Sequence, residues 1–174
     1  NSYSYPVCEN WLKIIINNYE KNSILATSAS YESLLSSIKL KKFYKLIGYL
    51  IKLFNYKKNF YPFPNPHIRT TGFFIKGSQY SLFMNDKSIK SKIDAWKIES
   101  GKSSLTNFFK KLNFNIYNIN SDGKKFSENQ WKESQTYNYL NQKKFFIFDR
   151  HIRKYNSLDK IEKLKFQNNS WGRD

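Results

Sequence analysis

The chain of 174 residues has one cysteine, Cys8, and two histidines, His67 and His151. A lone thiol excludes an internal disulfide and a thiolate metal cluster, and it makes a reducing, cytoplasmic compartment the expectation. Two imidazoles leave a histidine-built zinc site short of ligands. Arginine is nearly as scarce, with Arg69, Arg150, Arg153 and Arg173 the full set. Carboxylates number 13 against 30 lysines and arginines, for a net charge of +17. A surplus of that size ordinarily points to nucleic acid or an anionic membrane. The shortage of planar guanidinium forks argues against nucleic acid as the partner. Lys, Asn, Ile, Tyr and Phe are abundant together, as an AT-rich coding sequence makes them, so part of the charge reflects codon use. There is no charged-then-apolar leader and no apolar run of bilayer-spanning length. The length suits one domain, residues 1–174, and the start at Asn1 instead of Met leads us to expect a fragment lacking its N-terminal part.

The most informative stretch is Y-P-F-P-N-P-H-I-R-T-T-G-F-F-I, from Tyr61 to Ile75. Pro62, Pro64 and Pro66 fix their own φ and push each preceding residue towards extended geometry, so the approach is stiff and non-helical. His67, Arg69, Thr70 and Thr71 follow as a polar turn, and Gly72 leads into Phe73, Phe74 and Ile75, an apolar run of strand character. A rigid loop at a strand edge is a usual place for binding residues.

Elsewhere the pattern alternates. A helix is expected from about Glu9 to Tyr19 with Trp11, Ile14, Ile15 and Asn18 on one face, then a strand from Ile24 to Ala29. From Leu34 to Phe54, Ile38, Phe43, Ile47, Leu50, Ile51 and Phe54 recur at helical spacing among Lys39, Lys41, Lys42, Lys45 and Lys52. This is one long basic amphipathic helix or two short ones. Its apolar face either packs on the core with the lysines solvated, or lies against anionic lipid as a peripheral membrane contact. A short helix over 78–84 comes next, and the ordered run 93–99 ends at the Ser100-Gly101 turn. Ser103 or Ser104 then caps a helix carrying Leu105, Phe108, Phe109 and Leu112. A strand over 114–119, a turn at Asp122-Gly123, a long surface loop with a short helix over 124–144, a strand over 145–148 and a helix over 158–166 complete the reading. Alternating strands and helices make the fold class α/β.

Glu99 is the acid best placed for chemistry, at the end of an ordered element beside a glycine turn and just before a helix. A carboxylate there can enter a cleft and take a proton from a hydroxyl. A surface Glu near a helix start, favoured by the macrodipole, is the plainer alternative.

Several segments together resemble bacterial glycosyltransferase-like proteins of capsule and rhamnan-type polysaccharide clusters, within the nucleotide-sugar (GT-A) superfamily. They are P-N-P-H-I-R-T-T-G-F-F-I, the E-S-G-K-S-S-L-T run from Glu99, A-T-S-A-S-Y-E-S from Ala26, Asp94-Ala95-Trp96, Ser121-Asp122-Gly123-Lys124 with Trp131, and Phe148-Asp149. The resemblance implies a mixed sheet flanked by helices, the acceptor-side portion of a transferase. It implies a nucleotide-sugar donor and a glycan or lipid-linked acceptor, with the work done in the cytoplasm or at the inner face of the membrane. Glu99 would be the catalytic base. His67, Arg69, Thr71, Asp94, Trp96, Asp149 and Arg150 would line the substrate site, and Trp96 and Trp131 would stack on sugar faces. The chain departs from the pattern in two places. Ser100 stands where a second acid is common, and Tyr3, in Asn1-Ser2-Tyr3-Ser4, holds the place of the acid that with its partner grips Mn or Mg. With no D-x-D anywhere, the cofactor stays open, and Arg69, His67, Arg150 and His151 become the groups to neutralise a leaving diphosphate. The alternative function is a non-catalytic basic module on nucleic acid or an anionic membrane surface, which predicts steep salt dependence.

Overall fold

The computed structural model describes residues 4–40 and 42–173. In chain order the strands are β1 (Tyr5–Pro6), β2 (Ser23–Ala26), β3 (Ala29–Ser30), β4 (His67–Ile68), β5 (Phe73–Phe74), β6 (Asn115–Ile119), β7 (Lys125–Phe126) and β8 (Ile147–Phe148). The helices are α1 (Trp11–Asn18), α2 (Leu46–Asn59), α3 (Gly77–Met84), α4 (Lys92–Ser100), α5 (Leu105–Lys111), α6 (Arg150–Asn156) and α7 (Lys160–Trp171), with 3-10 turns at Phe43–Lys45 and Glu128–Ser134. The architecture is mixed α/β.

The main sheet runs β5-β2-β6-β7, with β2 and β6 parallel and the two outer strands antiparallel to their neighbours. Side chains of a strand alternate between faces, and the core divides accordingly. Ile24 and Ala26 of β2, Ile116 of β6 and Phe73 of β5 join one cluster with Phe109, Phe83 and Trp131. Leu25, Ile119 and Phe74 join the other, with Ile15, Trp11 and Ile14 of α1. Each large side chain buried there contributes roughly 1.5–3 kcal/mol. The α1 face expected from spacing is the one that packs, while Leu12 and Ile16 are exposed.

Three expectations need correcting. The run 24–29 is two short strands, because after Ala26 the chain leaves the main sheet and Ala29–Ser30 pairs instead with β4. The helix expected over 34–54 begins only at Leu46 and continues to Asn59; residues 34–37 are turn. Its inward residues are Leu46, Tyr49, Leu53 and Tyr56, whereas Phe43, Ile47, Leu50, Ile51 and Phe54 face solvent. The segment 124–144 is not a surface loop. Trp131, Ser134, Thr136 and Gln142 are fully buried, and several of the polar groups find partners inside: Asn118 Nδ2 donates to Ser134 Oγ (2.7 Å) and Thr136 Oγ1 (2.8 Å), and Asn138 N donates to Gln142 Oε1 (2.6 Å), while Trp131 Nε1 and Gln142 Nε2 have no partner among the described residues. The residues Asn1-Ser2-Tyr3, compared above with a metal-gripping segment, and Lys41 lie outside the described residues.

The polar turn 69–72 is tied down beside the end of β2. Arg69 N donates to Ser28 O (2.9 Å), and Thr27 donates from both N (3.0 Å) and Oγ1 (2.9 Å) to Gly72 O. A β-carbon on Gly72 would overlap Ile147 Cδ1 and stand 2.9 Å from Thr27 Oγ1. Gly72→Ala is therefore expected to destabilise the fold by about 1–3 kcal/mol, read as a lowered midpoint in urea unfolding. A midpoint unchanged from the parent would show that the turn has room to move.

Candidate active site

A polar cavity of about 500 Å3 lies past the carboxyl end of β2, where the chain leaves the main sheet through β3. Such ends of parallel strands are common ligand sites in α/β folds. Its wall includes His67, Arg69, Trp96, Glu99 and Arg150, five residues named from sequence and drawn from β4, the turn after it, α4 and α6. A second cavity of about 310 Å3 adjoins it and is lined by Ser4, Arg69, Thr70, Thr71, Glu99, Asp149 and His151. Arg69, Glu99 and His151 belong to both.

Glu99 sits in the last turn of α4, one residue before its end. The negative end of the helix dipole disfavours a carboxylate there, the opposite of the helix-start alternative weighed above. Two partners offset this. Arg69 Nε stands 3.5 Å from Glu99 Oε1, and Thr70 Oγ1 donates to Oε2 (3.0 Å). Gly101 then lets the chain turn sharply, since a β-carbon would stand 2.6 Å from Lys97 O and 2.8 Å from Lys97 Cα. Asn65 Nδ2 donates to Ser100 O (2.8 Å), Ser104 accepts from Asn107 N as the cap of α5, and Thr106 Oγ1 accepts from Ile68 N (2.9 Å). The E-S-G-K-S-S-L-T run thus fixes the corner between α4 and α5 against β4, and with it the position of Glu99.

The Arg69 guanidinium lies over the Tyr137 ring at 4.0 Å. Burial works against its charge, but Tyr137, Glu99, Asp149 and Glu32 around it hold its pKa above the ordinary value. Burial pushes Tyr137 up to about 12, eased by Arg69. Burial also raises Glu32, partly opposed by Arg69 and reinforced by Glu99. His151 is lowered by partial burial and by Arg69 and Arg150.

His67 is in β4 rather than in a solvated turn, and it is buried, with Nδ1 2.8 Å from Asn65 O. A neutral imidazole with its proton on Nδ1 donates that bond and leaves Nε2 as an acceptor. Burial, before all else, lowers its pKa. Below the ordinary histidine value the unfolded chain takes up a proton that the folded one refuses, so this residue makes stability fall as pH drops through about 6.5. Glu32, raised in the fold, acts in the opposite sense at lower pH. The expected result is that His67→Gln loses less stability than the parent between pH 7 and pH 5, by up to about 1.4 kcal/mol per pH unit. Parallel stability curves would mean that His67 takes up its proton as readily in the fold as in the unfolded chain.

Asp149 is buried and caps α6, accepting from Ile152 N (2.8 Å). Asp94 is brought to neither cavity. It closes the start of α4, where Ser91 Oγ donates to its Oδ2 (2.7 Å) and Lys97 Nζ lies 3.5 Å from its Oδ1. Those partners, with the Ser91 bond foremost, hold its carboxyl below the usual range. Trp131 is fully buried and so offers no face to a sugar, whereas Trp96 lines the cavity with Lys92 Nζ 5.1 Å from its ring.

Sequence reasoning did not single out Glu32, Tyr137 or Asn138, which also line the larger cavity. Glu32 carried a signal, being an acid at the far end of a buried run beginning at Ser23. Tyr137 and Asn138 carried none, because their segment looks like solvated loop. No group of three or more His, Cys, Asp or Glu suited to a metal is found among the described residues. The segment compared with a metal-gripping one, Asn1-Ser2-Tyr3, lies outside the described residues, and no step below passes through a metal. Site and fold together define a mixed α/β domain with paired polar cavities divided by an Arg-Glu pair. In comparisons with known proteins, no family model, no curated protein and no solved structure matches the chain.

Proposed function

We propose that the protein is a glycosyltransferase of GT-A type, moving a sugar from a nucleotide-sugar donor to a hydroxyl of a glycan or lipid-linked acceptor. One observation carries the reading: Glu99, His67, Arg69, Trp96 and Arg150, named from separate segments, line a single cavity. In the reaction, Glu99 takes the proton of the acceptor hydroxyl while that oxygen bonds to the anomeric carbon of the sugar. The bond from that carbon to the diphosphate oxygen breaks, and the nucleoside diphosphate leaves with the electron pair. Thr70 and Arg69 hold Glu99 in one orientation, and Trp96 offers an aromatic face to a sugar ring. Arg150, Lys154 and Lys92, also on the wall, are cations available to the leaving diphosphate. Calorimetric titration with UDP-, GDP-, dTDP- and CMP-sugars, with and without Mn, tests the reading. Saturable binding of one donor supports it, and binding of none refutes it.

A further inference from the structure

The outward face of α2 and the turn before it carry Phe43, Ile47, Leu50, Ile51 and Phe54 on one stripe. Phe43 is 82% exposed, Ile47 76% and Phe54 74%, so the stripe is a convex ridge of aliphatic and aromatic side chains in solvent. Scattered apolar residues on a surface are ordinary, but a contiguous ridge marks an interaction surface. The inward stripe of the same helix already anchors it, with Tyr56 buried and its ring 5.2 Å from that of Phe60. The ridge is therefore free of any packing role.

Its surroundings decide the partner. Lys42, Lys45, Lys52, Lys57 and Lys58 are exposed along the same segment, and no Asp or Glu occurs between Ser33 and Asn85. A second copy of the chain would bring the same cations against these and be repelled. We propose that this face docks on an anionic lipid bilayer, the ridge entering the headgroup and acyl boundary while the lysines meet lipid phosphates. The inference stands on this surface alone and does not depend on the transferase reading. Its geometry has a bearing on the site nonetheless. A cavity of about 640 Å3 behind α2, lined by Ile38, Leu40, Tyr49 and Tyr56, shares Leu34 and Trp96 with the central cavity. The bilayer would thus lie beside a cavity, lined also by Lys39, Lys45 and Lys52, that shares Trp96 with the wall carrying Glu99.

The test is vesicle flotation of the intact chain, using phosphatidylcholine alone and phosphatidylcholine with about 30 mol% phosphatidylglycerol. Ile47→Glu/Phe54→Glu is compared with the parent after circular dichroism confirms equal folding, which the exposure of both positions favours. The expected result is flotation with the anionic vesicles, weakened at least about tenfold in the double variant and reduced by salt. Absence of flotation with anionic vesicles overturns the proposal. So does flotation that the double variant leaves unchanged, since the ridge would then take no part. A parent dimer that the double variant turns into monomer, without vesicle binding, would assign the ridge to a second copy instead.

Discussion

Glu99→Gln is expected to lower the rate of sugar transfer by about 10²- to 10⁴-fold, the range supplied by a positioned general base, with donor affinity unchanged. The substitution is close to isosteric. Gln keeps one oxygen, for either the Thr70 hydroxyl or Arg69, with its amide nitrogen towards the other, and it removes a negative charge from the unfavourable end of α4. Stability should hold to within about 1 kcal/mol, so the variant isolates the proton transfer. Single-turnover transfer with saturating donor reads this directly. A variant that transfers at the parent rate removes Glu99 from the reaction and leaves Glu32, the second acid on the same wall, as the group to examine.

Arg69→Met should cost far more of the fold. The guanidinium is packed on Tyr137, paired with Glu99 and close enough to Glu32 and Asp149 to feel both charges. Removing it leaves acids in a poorly solvated wall without their cation, a change that costs about 3–5 kcal/mol where a pair is well buried. The Arg69 side chain is only 12% exposed but Glu99 is 23% exposed, so the lower end of that range is the expectation. Lys at the same position would keep a charge but lose the planar stack on Tyr137, and should recover part of the loss. The measurement is equilibrium unfolding in urea at pH 7. Equal midpoints for parent and Met variant would show that solvent already screens these acids.

The faces of the main sheet were legible because alternation survives even in short strands: Ile24, Leu25 and Ala26 separate into opposite clusters as their spacing requires. The corner after Glu99 was legible because Gly101 and Ser104 are local signals, a close backbone approach and a cap, that depend on near neighbours only. What escaped had long-range causes. The 34–54 stripe reads as a core face by periodicity, and nothing local tells an inward stripe from an outward one when α2 carries both. The segment 124–144 reads as solvated because hydrophilic side chains usually are, but Asn118, Ser134 and Thr136 satisfy one another inside. Asp94 was named with Trp96 on the resemblance, and in the structure its bonds belong to the start of α4.

Arg69, Glu99 and His151 form the partition between the two cavities. Whatever enters one chamber alters the charge that faces the other. An anion held on one side competes with Glu99 for Arg69, and so changes how the carboxylate is held towards the neighbouring chamber. Occupancy on the two sides is for that reason thermodynamically linked, and the coupling factor is the same whichever molecule arrives first.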